Sequence, residues 1–185
     1  DGEPAAAGHG VAGVDGEVQQ RPLQFTAIGI GGPQIGGQVL ANADAATEAD
    51  LWVMAPMVST VEETQYFVTI AKEYGIKTAG IMVEVPASAI QARRHLEIAD
   101  FASIGTNDLT QYTLAADRLL GSVASYQDPC HPAVLTLIKM TADGGKVNGK
   151  PVGICGEAAA DPLLASGSEE RGVGRECRSR WARYH

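Results

Sequence analysis

The chain has 185 residues, 45% of them hydrophobic, and a formal net charge of −8. This length and composition suffice for one domain with a buried core and exclude bulk disorder. The negative charge disfavours nucleic acid as the main partner, because phosphate binding requires clustered Lys and Arg. No apolar run approaches the roughly 20 residues of a membrane span, and no signal segment opens the chain. We therefore expect a cytoplasmic protein without membrane insertion.

The two ends of the chain differ in composition from its centre. Residues 1–40 are rich in Gly and Ala and show little periodicity apart from a possible short strand at 23–30, which predicts a poorly packed lead-in. Residues 1–165 carry 9 Lys/Arg against 19 Asp/Glu, a balance of −10, whereas residues 166–185 carry 5 Arg against 3 Glu, a balance of +2. We expect this Arg-rich tail to be disordered or non-native. The packed region is predicted to be 41–165.

Between these ends, apolar runs alternate with helix-like segments four times. The predicted strands are 51–57, 78–86, 99–105 and 151–157. They are apolar throughout, which is typical of parallel strands covered on both faces, and the alternation predicts βαβ units. The helix after the first strand is expected to have Ser59 as its N-cap, Glu62 as the capping-box partner and Gly75 after its end. The second strand is followed by one predicted helix at 87–99, and the third by a predicted helix at 107–120 that includes Arg118. Pro132 is expected in the first turn of the last helix.

The spacing of the strand ends favours part of a (β/α)8 TIM barrel. The ends at Met57, Glu84, Asp108 and Cys155 lie 27, 24 and 47 residues apart, against roughly 30 residues per unit in such barrels. The long third interval predicts an extended loop at about 119–131. We therefore predict an α/β fold with about four consecutive βα units. A doubly wound open sheet is an alternative, although no G-x-G-x-x-G motif opens a helix after a strand.

Polar residues gather at these strand ends, where the chemistry of parallel α/β folds concentrates. Glu84 ends the second predicted strand, Asn107 and Asp108 follow the third, and Cys155 ends the fourth. Two carboxylates from neighbouring strands can share one hard divalent cation, and Mg2+ commonly takes one or two carboxylates plus substrate oxygens. Asn107 and Arg118 can hold an anionic group. Cys155 can act as an acid or a nucleophile.

Each of these residues also has a structural explanation. A Glu at a strand end is commonly solvated or ion-paired, and an Asn-Asp pair after a strand is a common helix cap. A single Cys on a strand is usually a small core residue, and an Arg late in a helix favours the C-terminal dipole. Three cysteines without a C-x-x-C pair argue against a structural zinc site. The functional interpretation depends on all the candidates falling at the same ends of consecutive strands.

The segment "SIGTNDLTQYTLAADR" (103–118) closely resembles the signature of the phosphoenolpyruvate-utilising enzymes. "IMVEVP" (81–86) and "GICGE" (153–157) match two further motifs of that family in the right order. The family includes enzyme I of the bacterial sugar phosphotransferase system, pyruvate phosphate dikinase and phosphoenolpyruvate synthase. "TQYTLAADR" and "CGEAAADP" look most like the enzyme I branch. The resemblance covers about residues 41–165.

The resemblance implies a role for each candidate residue. Glu84 and Asp108 match the family's Mg2+ ligands. Asn107 and Arg118 match residues that hold the phosphate of phosphoenolpyruvate, and Cys155 matches the acid that protonates the enolate as pyruvate forms. The resemblance also implies phosphoryl transfer to a histidine on a separate domain and then to the phosphocarrier protein HPr. It implies a homodimer for the full-length protein.

The sequence departs from the family pattern near both ends. The Gly-Gly-x-x-(Ser/Thr)-His motif of the phosphorylated histidine does not occur, and residues 1–40 lack motifs resembling R-T-E and G-x-R. We therefore expect a catalytically incomplete piece from the second half of the barrel. Three alternatives stay open. They are a dikinase or synthase fragment, a non-catalytic dimerisation or ligand-binding barrel module, and an unrelated Mg2+-dependent lyase acting on pyruvate.

Overall fold

The structure is a computed structural model that describes residues 24–27, 51–160 and 174–175. Its strands are β1 Gln24–Ala27, β2 Leu51–Ala55, β3 Thr78–Val83, β4 Ala102–Gly105, β5 Val152–Cys155 and β6 Gly174–Arg175. Its α-helices are α1 Val61–Glu73, α2 Pro86–Ile90, α3 Ala92–Ile98, α4 Thr106–Leu114 and α5 Pro132–Asn148. Short 3-10 helices lie at Gly121–Tyr126 and Glu157–Ala160. No helix within the described ranges has the length and apolar character needed to cross a membrane.

The strands follow one another across the sheet in chain order, each parallel to the next. A doubly wound sheet reverses its strand order at a switch point, and the described strands contain no such reversal. Parallel neighbours joined by right-handed crossovers place their helices on one face, as in the wall of a (β/α)8 barrel. The predicted α/β class is confirmed, and the sheet is consistent with part of a barrel.

One face of the sheet packs into a single hydrophobic core. Alternate residues of a strand point to the same face, and Val53, Ile81 and Ile104 are completely buried in one cluster with Phe67 of α1 and Leu96 of α3. Burial of each such side chain contributes about 1.5–3 kcal/mol relative to exposure. This packing holds neighbouring strands in register and brings their carboxyl ends to one edge of the sheet.

β2 and β5 end earlier than predicted because the backbone turns sharply after them, whereas β4 begins later than predicted, at Ala102. β2 ends at Ala55, and Met57 then has φ 56°. β5 ends at Cys155, and Gly156 then has φ 91°. Positive φ values are incompatible with extended strand backbone. The possible short strand at 23–30 is confirmed by β1.

The N-cap of α1 is Thr60, so the prediction of Ser59 with Glu62 was wrong by one residue. Thr60 has extended backbone, and its Oγ1 accepts a hydrogen bond from the Glu63 N–H at 3.2 Å. Glu63 Oε2 in turn accepts from the backbone N–H groups of Thr60 and Ser59 at 2.9 and 2.8 Å. The helix therefore begins with a reciprocal capping box. The predicted end before Gly75 is confirmed, with φ 82° at that glycine.

The segment after β3, predicted as one helix, forms two short helices that meet at Gln91. Its φ of −98° and ψ of 13° place Gln91 in the bridge region, outside helical geometry. The predicted loop at 119–131 contains one 3-10 helix, and Pro132 does lie in the first turn of α5.

Both compositionally distinct ends contribute a strand to the sheet. β1 falls within residues 1–40, which were predicted to be a lead-in, and β6 falls within the predicted tail at 166–185. The remainder of both ends lies outside the described residues, as does Cys177. The boundaries 1–40, 41–165 and 166–185 therefore stay predictions.

Asp100 joins the amino ends of three strands, at the edge opposite the strand carboxyl ends. Its Oδ2 accepts hydrogen bonds from Lys72 Nζ at 2.5 Å and from the Ala79 N–H at 3.0 Å, and its Oδ1 lies 3.5 Å from Lys150 Nζ. Burial by itself raises the pKa of Asp100. The hydrogen bonds from Lys72 and Ala79, together with the positive charges of Lys72 and Lys150, lower it by more, so the pKa lies below its ordinary value. The ionised form of Asp100 therefore stabilises the fold.

Replacing Asp100 by Asn is expected to lower the free energy of unfolding at pH 7, because the charged contacts with the lysines are lost. The loss should be about 1 kcal/mol, since solvent partly screens the exposed lysines. Since the folded-state pKa is lowered, this stabilisation is present above the ordinary pKa of 3.8 and is lost as the pH falls through the lowered value. Urea denaturation at neutral and acid pH measures the effect. The same loss at both pH values would show that the charge of Asp100 is not what stabilises the chain.

Candidate active site

Glu84 follows β3 directly, and its side chain is only 4% exposed. Its Oε1 accepts a 2.7 Å hydrogen bond from the backbone N–H of Met57, which follows β2. Met57 adopts φ 56°, which is unfavourable for a residue with a Cβ. In this left-handed conformation its N–H donates the hydrogen bond to Glu84. Gly105 leaves the space that the carboxylate needs, because a Cβ there would lie 2.7 Å from Glu84 Oε2.

The electrostatic environment of Glu84 comes from burial and from two charged neighbours. Burial raises its pKa, the Met57 hydrogen bond lowers it, the charge of Asp108 raises it and that of Arg118 lowers it. The net result is a pKa above the ordinary value of 4.5. The carboxylate of Glu84 is thus incompletely compensated by the protein, and a bound cation would favour its ionised form.

Asp108 and Arg118 approach each other because α4 ends early. The prediction of a helix reaching Arg118 was wrong, since α4 ends at Leu114 and Ala115 adopts the left-handed conformation with φ 51°. A continuous helix would separate Asp108 and Arg118 by about 15 Å along its axis. In the structure Arg118 Nη2 lies 4.0 Å from Asp108 Oδ1.

Asn107 and Cys155 each contact the backbone of a neighbouring segment. Cys155 pairs in register with Gly105, and its Sγ lies 3.4 Å from the carbonyl oxygen of Ile104. Asn107 Oδ1 accepts a 3.1 Å hydrogen bond from the Glu157 N–H. This contact occupies the amide oxygen of Asn107 and leaves its two N–H donors for an anion.

All the predicted site residues lie at or after the carboxyl ends of neighbouring parallel strands. Glu84, Asp108 and Arg118 influence one another electrostatically. Asn107 contacts the Glu157 N–H after β5, and Cys155 contacts the Ile104 carbonyl group of β4. Among the described residues, no group of three or more His, Cys, Asp and Glu side chains is arranged to hold a metal ion. The catalytic, phosphate-binding and metal-binding roles stay predictions.

Several functional groups of this edge were not found from the sequence. The Met57 N–H has no sequence signal, because any residue type other than proline carries the same donor. Thr106 donates from Oγ1 to the Cys155 carbonyl oxygen at 2.9 Å. Its signal was a hydroxyl directly after a predicted strand. Gly105 and Gly156 lie beside predicted site residues in "IGTND" and "ICGE", and their need for space appears only in three dimensions.

Comparison with known proteins identifies the class. Residues 34–173 match the family described as "PEP-utilising enzyme, PEP-binding domain". The chain belongs to this family of phosphoenolpyruvate-utilising enzymes, which confirms the resemblance carried by its motifs.

Its relatives include proteins named phosphoenolpyruvate-protein phosphotransferase. The chain is 48% identical over 127 residues to that of Streptomyces coelicolor, covering 68% of this chain and 23% of the relative. It is 42% identical over 133 residues to that of Mycoplasma pneumoniae, covering 68% and 23%. It is also 42% identical over 140 residues to a multiphosphoryl transfer protein of Xanthomonas campestris, covering 72% and 16%. The chain spans less than a quarter of the length of these relatives.

Solved structures with a similar fold include members of other enzyme classes. A citrate lyase from Burkholderia xenovorans superposes with a TM-score of 0.62 at 18% identity, covering 80% of this chain and 51% of that chain. An HpcH/HpaI aldolase from Desulfitobacterium hafniense gives 0.51 at 13% identity, covering 83% of each chain. At these identities the likeness concerns the fold alone.

Replacing Glu84 by Gln is expected to raise the melting temperature at neutral pH by a few degrees Celsius, because the neutral amide removes the cost of burying an ionised carboxylate. The glutamine oxygen can still accept from Met57. Because the pKa of Glu84 is raised in the folded state, its ionisation destabilises the fold as the pH rises from 4.5 through the raised value. The stability gain should therefore grow over that range.

Thermal melts across pH test this, with Glu97→Gln as the control. Glu97 is 57% exposed and lies 4.0 Å from Arg93 in a surface ion pair, so its loss should have little effect. A Glu84→Gln variant that melts below the wild-type chain at every pH would contradict the assignment of Glu84 as an undercompensated charge.

Proposed function

We propose that this chain forms part of the phosphoenolpyruvate-binding barrel of a phosphoenolpyruvate-protein phosphotransferase, the enzyme I of a sugar phosphotransferase system. The observation that carries the proposal is the electrostatic coupling of Glu84, Asp108 and Arg118 at the sheet edge where β5 ends in Cys155. Phosphoenolpyruvate carries two anionic groups and releases an enolate that must be protonated. A paired-carboxylate site with an arginine and a thiol fits that chemistry.

Glu84 and Asp108 are the proposed Mg2+ ligands. The donor set fits, because Mg2+ commonly takes one or two carboxylates and completes its octahedron with water and substrate oxygens. The raised pKa of Glu84, to which Asp108 contributes, supports the same assignment, since a cation would offset the two neighbouring negative charges. When bound, Mg2+ neutralises charge on the transferring phosphoryl group and on the enolate oxygen.

Asn107 and Arg118 are the proposed phosphate ligands. The amide oxygen of Asn107 is occupied by the Glu157 N–H, so the amide donors remain for phosphate oxygens. Arg118 is 47% exposed and lies 4.0 Å from Asp108, a separation longer than a close hydrogen bond. Its guanidinium can therefore offer forked donors to an incoming phosphate. Asn107 also lies in the first turn of α4, where the helix dipole favours an anion.

Cys155 is the proposed proton donor. As the phosphoryl group leaves phosphoenolpyruvate, the thiol S–H bond breaks and a C–H bond forms at C3 of the enolate, which yields pyruvate and a thiolate. In the reverse direction the thiolate removes a proton from the methyl group of pyruvate. The half-buried position of Cys155 at the strand end supports this role, because the thiol lies at the same edge as the carboxylates.

The partners proposed for the whole protein rest on the family resemblance of the motifs and lie beyond this chain. We propose that the phosphoryl group passes to a histidine on another domain and then to the phosphocarrier protein HPr. We further propose that the full-length protein is a cytoplasmic homodimer. The name of the Streptomyces coelicolor relative, phosphoenolpyruvate-protein phosphotransferase, supports transfer of the phosphoryl group to a protein; the chain spans 23% of that relative.

Replacing Asp108 by Asn is expected to abolish Mg2+-dependent binding of phosphoenolpyruvate. The wild-type chain should melt at a higher temperature when both are present, because ligands that bind the folded state stabilise it. The control is Asp100→Asn, which removes a carboxylate at the opposite edge of the sheet. That variant should start from a lower melting temperature and keep the same ligand-induced shift. Equal shifts in both variants would exclude Asp108 as a metal ligand.

Replacing Cys155 by Ala is expected to slow the exchange of the pyruvate methyl protons for deuterium by about 100-fold or more, the usual contribution of a positioned acid or base. NMR of pyruvate in deuterated buffer with Mg2+ measures this half-reaction without the phosphoryl acceptor. Cys130→Ala is the control, since Cys130 is exposed in the segment before α5. Undiminished exchange in Cys155→Ala would refute the proton-donor role and favour the Mg2+-dependent lyase alternative.

A further inference from the structure

Two consecutive side chains at the start of α4 hold the backbone on either side of Gly156. Thr106 Oγ1 donates a 2.9 Å hydrogen bond to the carbonyl oxygen of Cys155, the residue before this glycine. Asn107 Oδ1 accepts a 3.1 Å hydrogen bond from the N–H of Glu157, the residue after it. We call Thr106, Asn107 and Gly156 the β5 clamp.

Gly156 is required in this clamp for two independent reasons. Its φ of 91° lies in the region that residues with a Cβ rarely adopt. A Cβ at this position would also lie 2.7 Å from Thr106 Oγ1 and 3.0 Å from Asn107 Oδ1. The two side chains therefore occupy the space that a larger residue would need, and the turn and the helix are fitted to each other.

Thr106 is too deeply buried to contact a ligand directly. It is 1% exposed, and its hydroxyl hydrogen is committed to the Cys155 carbonyl group. A buried hydroxyl without a partner destabilises the fold, so this contact is a strong local restraint on the peptide group that follows Cys155. Its role is thus to position another residue.

We propose that Thr106 is a positioning residue that directs the thiol of Cys155 through the β5 clamp. This inference rests on the proposed function of Cys155 as proton donor. The register of Gly105 with Cys155 restrains the strand side of the cysteine, and Thr106 restrains the peptide on its other side. Between these restraints Sγ lies 3.4 Å from the Ile104 carbonyl oxygen. Without the Thr106 hydroxyl, the peptide after Cys155 can rotate and the thiol direction changes with it.

Three threonine variants test the proposal. Thr106→Val keeps the shape of the side chain and removes the hydroxyl, whereas Thr106→Ser keeps the hydroxyl. Thr113→Val is the matched control, because Thr113 lies in the same helix and also donates to a backbone carbonyl, that of Leu109 at 2.6 Å. Each variant is made in the full 185-residue chain with Cys130 and Cys177 changed to Ser, which leaves Cys155 as its one thiol.

The first readout is deuterium exchange into pyruvate with Mg2+. Thr106→Val is expected to lower the exchange rate about 10- to 100-fold, the cost of a misdirected reacting group. Thr106→Ser and Thr113→Val should stay close to the parent chain. The melting-temperature shift caused by Mg2+ and phosphoenolpyruvate should persist in Thr106→Val, because Glu84 and Asp108 are unchanged. A rate in Thr106→Val equal to that in Thr106→Ser would overturn the inference.

The second readout is alkylation of Cys155 by iodoacetamide, which needs no bound pyruvate. Thr106→Val should react several-fold faster than Thr106→Ser at the same pH, because the thiol is no longer held beside the Ile104 carbonyl group. Equal alkylation rates in the two variants would overturn the positioning role even if the chain does not turn over pyruvate. Exchange that survives in Cys155→Ala would instead remove the proposed proton donor, while the alkylation rates would still report on the clamp.

Discussion

A buried carboxylate that the protein only partly compensates is the constraint on which the candidate site depends. Glu84 is 4% exposed, and among the described residues one backbone N–H, that of Met57, donates a hydrogen bond to it. Burial and the charge of Asp108 raise its pKa, so its ionised form is costly in the folded protein without a further positive charge. Met57, in its left-handed conformation, donates its N–H to this carboxylate, and Gly105 leaves the space that the carboxylate occupies. A bound cation would therefore stabilise the ionised carboxylate of Glu84.

The opposite edge of the sheet shows what a fully compensated carboxylate looks like in the same fold. Asp100 is contacted by Lys72, Lys150 and the Ala79 N–H, and its pKa is lowered. The two carboxylates belong to one parallel sheet, yet their environments shift their pKa values in opposite directions. This division agrees with the general arrangement of parallel barrels, in which the amino ends of the strands contribute stability and the carboxyl ends carry chemistry.

The β5 clamp connects the proposed phosphate-binding residue Asn107 with the proposed proton donor Cys155. Asn107, a proposed phosphate ligand, uses its amide oxygen to hold Glu157, and Thr106 holds the peptide of the proposed proton donor. The same turn of α4 also carries Asp108. One helix N-terminus therefore sets the relative positions of the proposed metal, phosphate and proton-transfer groups, so a small displacement of α4 would affect all three.

The α/β class, the order of four apolar strands and the family were all predictable from the amino-acid sequence, because apolar runs and contiguous motifs are local signals. The sequence placed the cap of α1 one residue early, since Ser59 and Thr60 are both capable N-caps and only the backbone conformation distinguishes them. It extended α4 to Arg118 because Ala115 carries no signal for a left-handed turn. Tertiary structure alone decided the return of Arg118 to Asp108, the burial of Glu84 against the Met57 N–H, and the contact of Thr106 with the Cys155 carbonyl group. Each of these depends on distances between backbone segments that only the packed sheet brings together.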